Sequence, residues 1–267
     1  MNIQPYTPEG WNSNTKPLSM DTIYNVIDNN EILQGLVNSC DENYNLHINL
    51  GNGIQGIMPR GEIEAINATE NGYPRESLCT GKVNKFVQFK IKEVNDNGNV
   101  IVSRKEVQQD ALNWIKNDLQ VGQKVSGIVK NIKPYGVFIE IGGGVVGLAH
   151  IEDLSVARIK SPAERVQIGQ KLDVIVKSVD RDEGKVILSY KELLGTWEDN
   201  IKNFKEKTQV KGIVRETEKN QNGIFIELTP NLVGMAEYVD GLEYGQTVDV
   251  FIKKIIPDKK KIKLLVV

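Results

Sequence analysis

Two aromatic side chains three residues apart, Tyr135 and Phe138, followed by His150, form the grouping in this sequence best suited to contact a ligand. They lie within Gly127-Ile-Val-Lys-Asn-Ile-Lys-Pro-Tyr-Gly-Val-Phe-Ile-Glu-Ile141 and Gly147-Leu-Ala-His150. Side chains alternate between the two faces of a strand, so Val137, Ile139 and Ile141 share the core side of Gly136–Ile141. Phe138 and Glu140 then share the outer side. A core does not require an aromatic on a charged face, whereas unpaired bases stack on exposed neighbouring aromatics. The competing reading is a β-bulge that turns Phe138 inward. Gly136 permits an abrupt turn that sets Tyr135 beside Phe138. Lys130, Arg181 and Lys185 are cations suited to phosphate contacts without base reading. For each single lysine, plain solvation is the alternative.

Other chemistries lack their residues. The sequence has two histidines, His47 and His150, and two cysteines, Cys40 and Cys79, without a Cys-x-x-Cys. No metal site is expected, and reduced thiols are the simpler reading. No nucleophile and base stand at motif spacing, so turnover is not expected, nor is a cofactor. Gly142-Gly-Gly144 lacks the Gly-Lys-Ser/Thr ending of a phosphate loop and reads as a hairpin loop. There is no basic segment followed by an apolar run at the start, and no stretch approaches about 18 consecutive apolar residues. A cytoplasmic chain without a membrane span is expected, and a monomer is the simpler state.

The elements that must position these residues repeat. The pattern of 127–150 recurs as Gly212-Ile-Val-Arg, Gly223-Ile-Phe-Ile-Glu-Leu and Val233-Gly-Met-Ala. A fainter copy reads Gly35-Leu-Val-Asn, Asn45-Leu-His-Ile-Asn-Leu and Gln55-Gly-Ile-Met. Each copy continues through a strand opened by Gly81, Gly169 or Gly245, and a last strand after a polar turn. Five short strands at such intervals predict a small closed β-barrel, since closure removes exposed edges. The expected fold class is all-β: three tandem five-stranded barrels joined by short helices. An irregular arm and short helix occupy 1–30, with Ser19 as the cap and Ile23, Val26 and Ile27 as the apolar stripe. Barrels are expected at 31–103, 121–189 and 207–267. Helical spacing of Val107, Ala111, Trp114, Ile115 and Leu119 predicts a connector over 104–120. Leu193, Leu194, Trp197, Ile201 and Phe204 predict another over 190–206.

Net charge is −2 but uneven: residues 1–120 carry −5, while 121–192 and 205–267 carry +2 each. The outward residues are uneven too. In the third copy Phe225 and Glu227 face out opposite Ile224, Ile226 and Leu228, Asn222 takes the Tyr135 place, and Arg215 and Lys261 supply cations. In the first, Leu46, Ile48 and Leu50 face in, Asn45, His47 and Asn49 face out, and Tyr44 and His47 take the aromatic places.

Gly127-x-Val, Tyr135-Gly-Val-Phe-Ile, Gly147-Leu-Ala-His150-Ile, Val179-Asp-Arg and Lys185-Val-Ile-Leu-Ser189 together resemble the S1 domain. That domain is an RNA-binding OB-fold named for a bacterial small-subunit ribosomal protein. The resemblance covers about 31–267, strongest in the second copy and weakest in the first. It implies that two aromatics, the histidine, and an Asp with a basic residue of the last turn hold RNA: Tyr135, Phe138, His150, Asp180 and Lys185. The third copy keeps Phe225 and Lys261 but has Asn222, Glu237 and Pro257 where Tyr, His and Asp belong. The first has Pro59 at the His place and Asn95 and Asn99 in its last turn. Single-stranded RNA and the small ribosomal subunit are therefore the expected partners, in translation. A protein scaffold docking to the ribosome or to an RNA-decay complex is the alternative. By analogy with the ribosomal protein, the first copy is expected to contact protein.

Overall fold

The computed structural model describes residues 4–12, 17–65, 71–216 and 223–267. Asn222, the expected counterpart of Tyr135, lies outside them. Among the described residues, fifteen strands form three closed barrels, as the repeat predicts. The first contains β1 (Leu33–Cys40), β2 (Leu46–Gly51), β3 (Ile54–Met58), β4 (Phe86–Val94) and β5 (Val100–Ser103), ordered β1-β2-β3-β5-β4. The second contains β6 (Lys124–Lys133), β7 (Gly136–Glu140), β8 (Val146–His150), β9 (Lys171–Asp180) and β10 (Lys185–Ser189), ordered β10-β8-β7-β6-β9. The third contains β11 (Gln209–Glu216), β12 (Ile224–Thr229), β13 (Leu232–Ala236), β14 (Thr247–Ile256) and β15 (Lys261–Val266), ordered β11-β12-β13-β15-β14. In the first and third, the last strand pairs parallel with the third strand of its barrel and antiparallel with the fourth, which closes the sheet.

The chain packs as two units. One holds Met1–Ile128, Ile139–Gly147 and Val179–Val186, and the other Val129–Phe138, Leu148–Ser178 and Ile187–Val267. In the first unit, Ser19 caps α1 (Met20–Asp28) through the Thr22 N–H, and Ile23 and Val26 join the barrel core of Leu46, Ile48, Met58 and Phe89. Gly35 in β1 lies where a Cβ would come within 2.5 Å of Ile48 Cγ2, so strand and core meet there only without a side chain.

Beyond a short helix, α2 (Glu76–Thr80), the connector α3 (Arg104–Asn117) forms as its spacing predicts, capped by Ser103 and burying Val107, Ala111 and Ile115. It also buries Arg104, whose Nε and Nη2 donate to Glu9 Oε1 and Oε2 at 2.6 and 3.0 Å, while Nη1 lies 2.8 Å from Glu64 Oε2. Burial alone would raise the Glu9 pKa, but the charges of Arg104 and Lys82 prevail and hold it at about 2. This ion network fixes the irregular arm. Further along the same arm, the Gln4 amide accepts from Ser126 N–H at 2.8 Å and donates to Ile141 O at 2.5 Å.

Glu140 departs from its expected exposure. It points away from the barrel core yet is buried, because its Oε1 accepts from the Glu9 and Gly144 N–H groups at 2.7 and 3.0 Å. The outer face at that position is covered by the arm.

In the second unit, the connector expected over 190–206 is broken. A 3-10 turn at Lys191–Leu193 stops, Gly195 takes φ +80°, and Thr196 caps a new short helix, α4 (Trp197–Ile201). Trp197, Ile201 and Phe204 still pack on the third core as their spacing requires. The apolar stripe was legible; the interruption follows from a glycine in a left-handed conformation followed by a strong cap. Cys40 and Cys79 are free thiols.

Candidate nucleic-acid interface

Val137, Ile139 and Ile141 are fully buried, and Phe138 emerges half-exposed on the other side of β7. No bulge turns it inward. Tyr135 is 52% exposed, and its ring meets that of Phe138 edge to face, with centroids 6.2 Å apart and planes at 83°. The edge-to-face contact stabilises the pair while Tyr135 stays exposed and Phe138 half-exposed.

Gly136 brings the histidine alongside. A Cβ there would lie 2.5 Å from Ala149 O and 3.1 Å from His150 Cα, so the start of β7 and the end of β8 touch backbone to backbone. The Ile151 N–H donates to Tyr135 O at 2.9 Å and locks that approach. His150 is exposed at the end of β8. Leu148, whose Cδ1 would lie 3.1 Å from a Cβ on Gly136, pairs with Ile187 across β8–β10, and both are half-buried apolar residues that one strand's pattern does not bring together. They are outward residues of strands whose neighbours in space cannot be read from one strand alone.

The expected cations behave differently from the aromatics. Arg181 donates to the Lys116 and Leu119 carbonyls at the end of α3, the first through a 2.5 Å bond, so its guanidinium holds the connector. Lys185 pairs with Glu183, which raises its pKa. Asp180 Oδ1 accepts from the Asp182 and Glu183 N–H groups at 3.0 Å and caps the turn between β9 and β10. Lys130 has an interaction partner of its own.

The third barrel shares the frame. Gly223 takes the place of Gly136, packed against Ala236 O. Phe225 is half-exposed on β12 and pairs with Met235, Met235 with Lys263, and Lys263 with Lys254. Arg215 corrects its expected role as a phosphate contact. It is buried, with Nε 2.5 Å from Glu227 Oε2 and Nη1 2.6 Å from Glu164 Oε2. Arg165 Nη2 shares the same Glu227 oxygen at 2.5 Å. Glu227, expected outward and exposed beside Phe225, is therefore outward but buried in an ion network. Glu140 shows the same covered arrangement in β7. Lys261 is exposed at the start of β15.

The first barrel is altered most. Tyr44 adopts φ +62° and lies under the Arg60 guanidinium at 4.8 Å. His47 Nε2 is 3.3 Å from Asp41 Oδ2, in a half-buried position. Asn45 replaces the Gly136 contact with its side chain, its Oδ1 accepting from Arg60 N–H at 3.1 Å. The outward row that holds Phe225, Met235, Lys263 and Lys254 in the third barrel reads His47, Ile57, Ile101 and Glu93 here.

Among the described residues, no group of three His, Cys, Asp or Glu side chains could hold a metal ion. No helix among them is long and apolar enough to cross a membrane.

Residues 118–191 match the S1 RNA binding domain family. The chain is 31% identical over 256 residues to the small ribosomal subunit protein bS1 of Staphylococcus aureus (strain MRSA252), covering 89% of this chain and 62% of that protein. It is 34% identical over 200 residues to bS1 of Chlamydia trachomatis serovar D, covering 68% of this chain and 35% of that protein. The solution structure of GSP13 from Bacillus subtilis is similar over 30% of this chain and 61% of its own, with 28% identity and a TM-score of 0.29. The chain thus spans less than two thirds of the length of these bS1 relatives.

Proposed function

We propose that this chain, with a match to the S1 RNA binding domain at 118–191 and similarity to ribosomal protein bS1 along most of its length, is a non-catalytic binder of single-stranded RNA that works with the ribosome in translation. The observation that carries the reading is the exposed edge-to-face pair of Tyr135 and Phe138, held beside His150 by the contact at Gly136. Two aromatic rings and an imidazole on one surface suit stacking of unpaired bases. Stacking tolerates any base, so little sequence preference is expected. His150 supplies a ring nitrogen for a base edge or a ribose hydroxyl.

Asp180 and Lys185 would work as a turn: the aspartate shapes it and the lysine offers its charge from the rim. The first barrel carries Glu93 where the third has Lys254, which disfavours a polyanion and supports a protein-facing role. The similarity to small-subunit proteins supports the ribosome as partner. Photocrosslinking of 4-thiouridine RNA to the intact chain tests the reading. Adducts should concentrate in peptides containing Tyr135, Phe138 and His150, and adducts confined to the first barrel would contradict it. Co-sedimentation with small subunits tests the partner, and absence from the subunit fraction at low salt would remove it.

A further inference from the structure

We infer that the third barrel is the phosphate-binding half of the nucleic-acid surface, centred on Lys254 and Lys263, an assignment that rests on the single-stranded RNA reading above. Residues 253–263 contain six lysines and one acid, Asp258. The sheet register converts part of that run into a surface. Phe225, Met235, Lys263 and Lys254 stand in one row across β12, β13, β15 and β14, with both lysines exposed.

Lys254 and Lys263 are direct cross-strand partners. Like charges placed opposite one another repel, which destabilises the free sheet. Neither lysine has an ion-pair partner among the described residues, and neither does Lys261. Lys253 reaches Glu237 at 4.0 Å, and Lys260 reaches Glu198 at 2.9 Å. A bound anion would relieve the repulsion. The neighbouring Phe225 and Met235 make the row fit a strand that carries bases as well as phosphates.

The second barrel has the complementary equipment. It displays Tyr135, Phe138 and His150, while Arg181 is tied to the connector and Lys185, exposed on the rim, already shares its charge with Glu183. Lys133 is an exposed exception on β6. Stacking and phosphate neutralisation, which a single binding face could combine, are divided between two barrels of this chain. The ligand of the lysine row is the ribose-phosphate backbone of the same RNA whose bases the second barrel stacks. Each cation that neutralises a phosphate releases a counterion, so the third barrel governs the salt dependence of binding.

The test is fluorescence anisotropy of a labelled single-stranded RNA with the full chain, from about 50 to about 200 mM salt. Lys254→Gln/Lys263→Gln should weaken binding several-fold at the low end. It should also reduce the slope of log affinity against log salt by roughly 1.4, about 0.7 per phosphate neutralised. Tyr135→Ala/Phe138→Ala should lower affinity at every salt concentration and leave the slope unchanged. Lys205→Gln/Lys207→Gln, which removes two exposed charges elsewhere, should leave both nearly as they are. A wild-type slope in Lys254→Gln/Lys263→Gln, or an equal loss in Lys205→Gln/Lys207→Gln, overturns this assignment alone. Failure of the intact chain to bind RNA overturns it together with the reading beneath it.

Discussion

Gly136→Ala isolates the contact that assembles the site. The glycine does not adopt a left-handed conformation, so alanine meets no backbone strain there. It meets only a wall: the new Cβ would stand 2.5 Å from Ala149 O, and ordinary contact begins at 3.4 Å. The start of β7 and the end of β8 must therefore separate by about 0.9 Å. Overpacking of this kind costs about 1–3 kcal/mol. Loss of the Ile151 N–H bond to Tyr135 O adds about 1 kcal/mol. The same separation moves His150 away from Tyr135 and Phe138, so RNA affinity should fall about tenfold, equivalent to about 1.4 kcal/mol. Hydrogen exchange at the Ile151 amide and RNA anisotropy, measured on the same variant, read both consequences. Gly223→Ala is the control: it introduces the equivalent clash in the third barrel, together with a φ of +91° unsuited to alanine. It should destabilise as much or more while leaving the Ile151 amide as protected as in the wild type. An unchanged Ile151 amide and unchanged affinity in Gly136→Ala would refute the claim that this backbone contact positions the site.

The ion networks give further expectations. Glu9 has a folded pKa of about 2 against an ordinary 4.5, so its stabilisation is complete above about pH 4.5 and is lost as pH falls toward 2. The shift corresponds to roughly 3 kcal/mol. Acid titration followed by proteolysis at the arm should show that loss in the wild type, and Glu9→Gln should flatten this pH dependence while lowering stability at neutral pH. Glu227→Ala leaves the buried guanidinium of Arg165 without its acid and removes one of two from Arg215, and should cost about 3–5 kcal/mol in a thermal melt of the full chain. Retention of the wild-type melting profile would show that the network contributes little to holding the third barrel.

Much of the fold was legible because it depends on period and spacing. Val137, Ile139 and Ile141 alternate with Phe138, and the same pattern in two other copies fixes three barrels without knowledge of any long-range contact. The outward placement of the aromatics in the candidate site was legible for the same reason, since one strand determines which side Phe138 faces. The charged residues were harder to read. Arg215, Glu140 and Glu227 look like surface groups within their own strands, and each is buried by segments distant in sequence: Glu9, Arg165 or Glu164. Lys254 and Lys263 become one feature only through the register between β14 and β15. The connector after Ser189 showed a helical stripe that is real, but Gly195 and the Thr196 cap divide it.

Tyr135 and Phe138 are proposed to hold RNA by stacking. Titration of a fluorescent single-stranded RNA with the intact chain and with Tyr135→Ala/Phe138→Ala tests it most directly. The wild type should bind, and the variant should lose roughly 1–3 kcal/mol for each base released. Equal affinity of the two proteins, with both still folded, would contradict it.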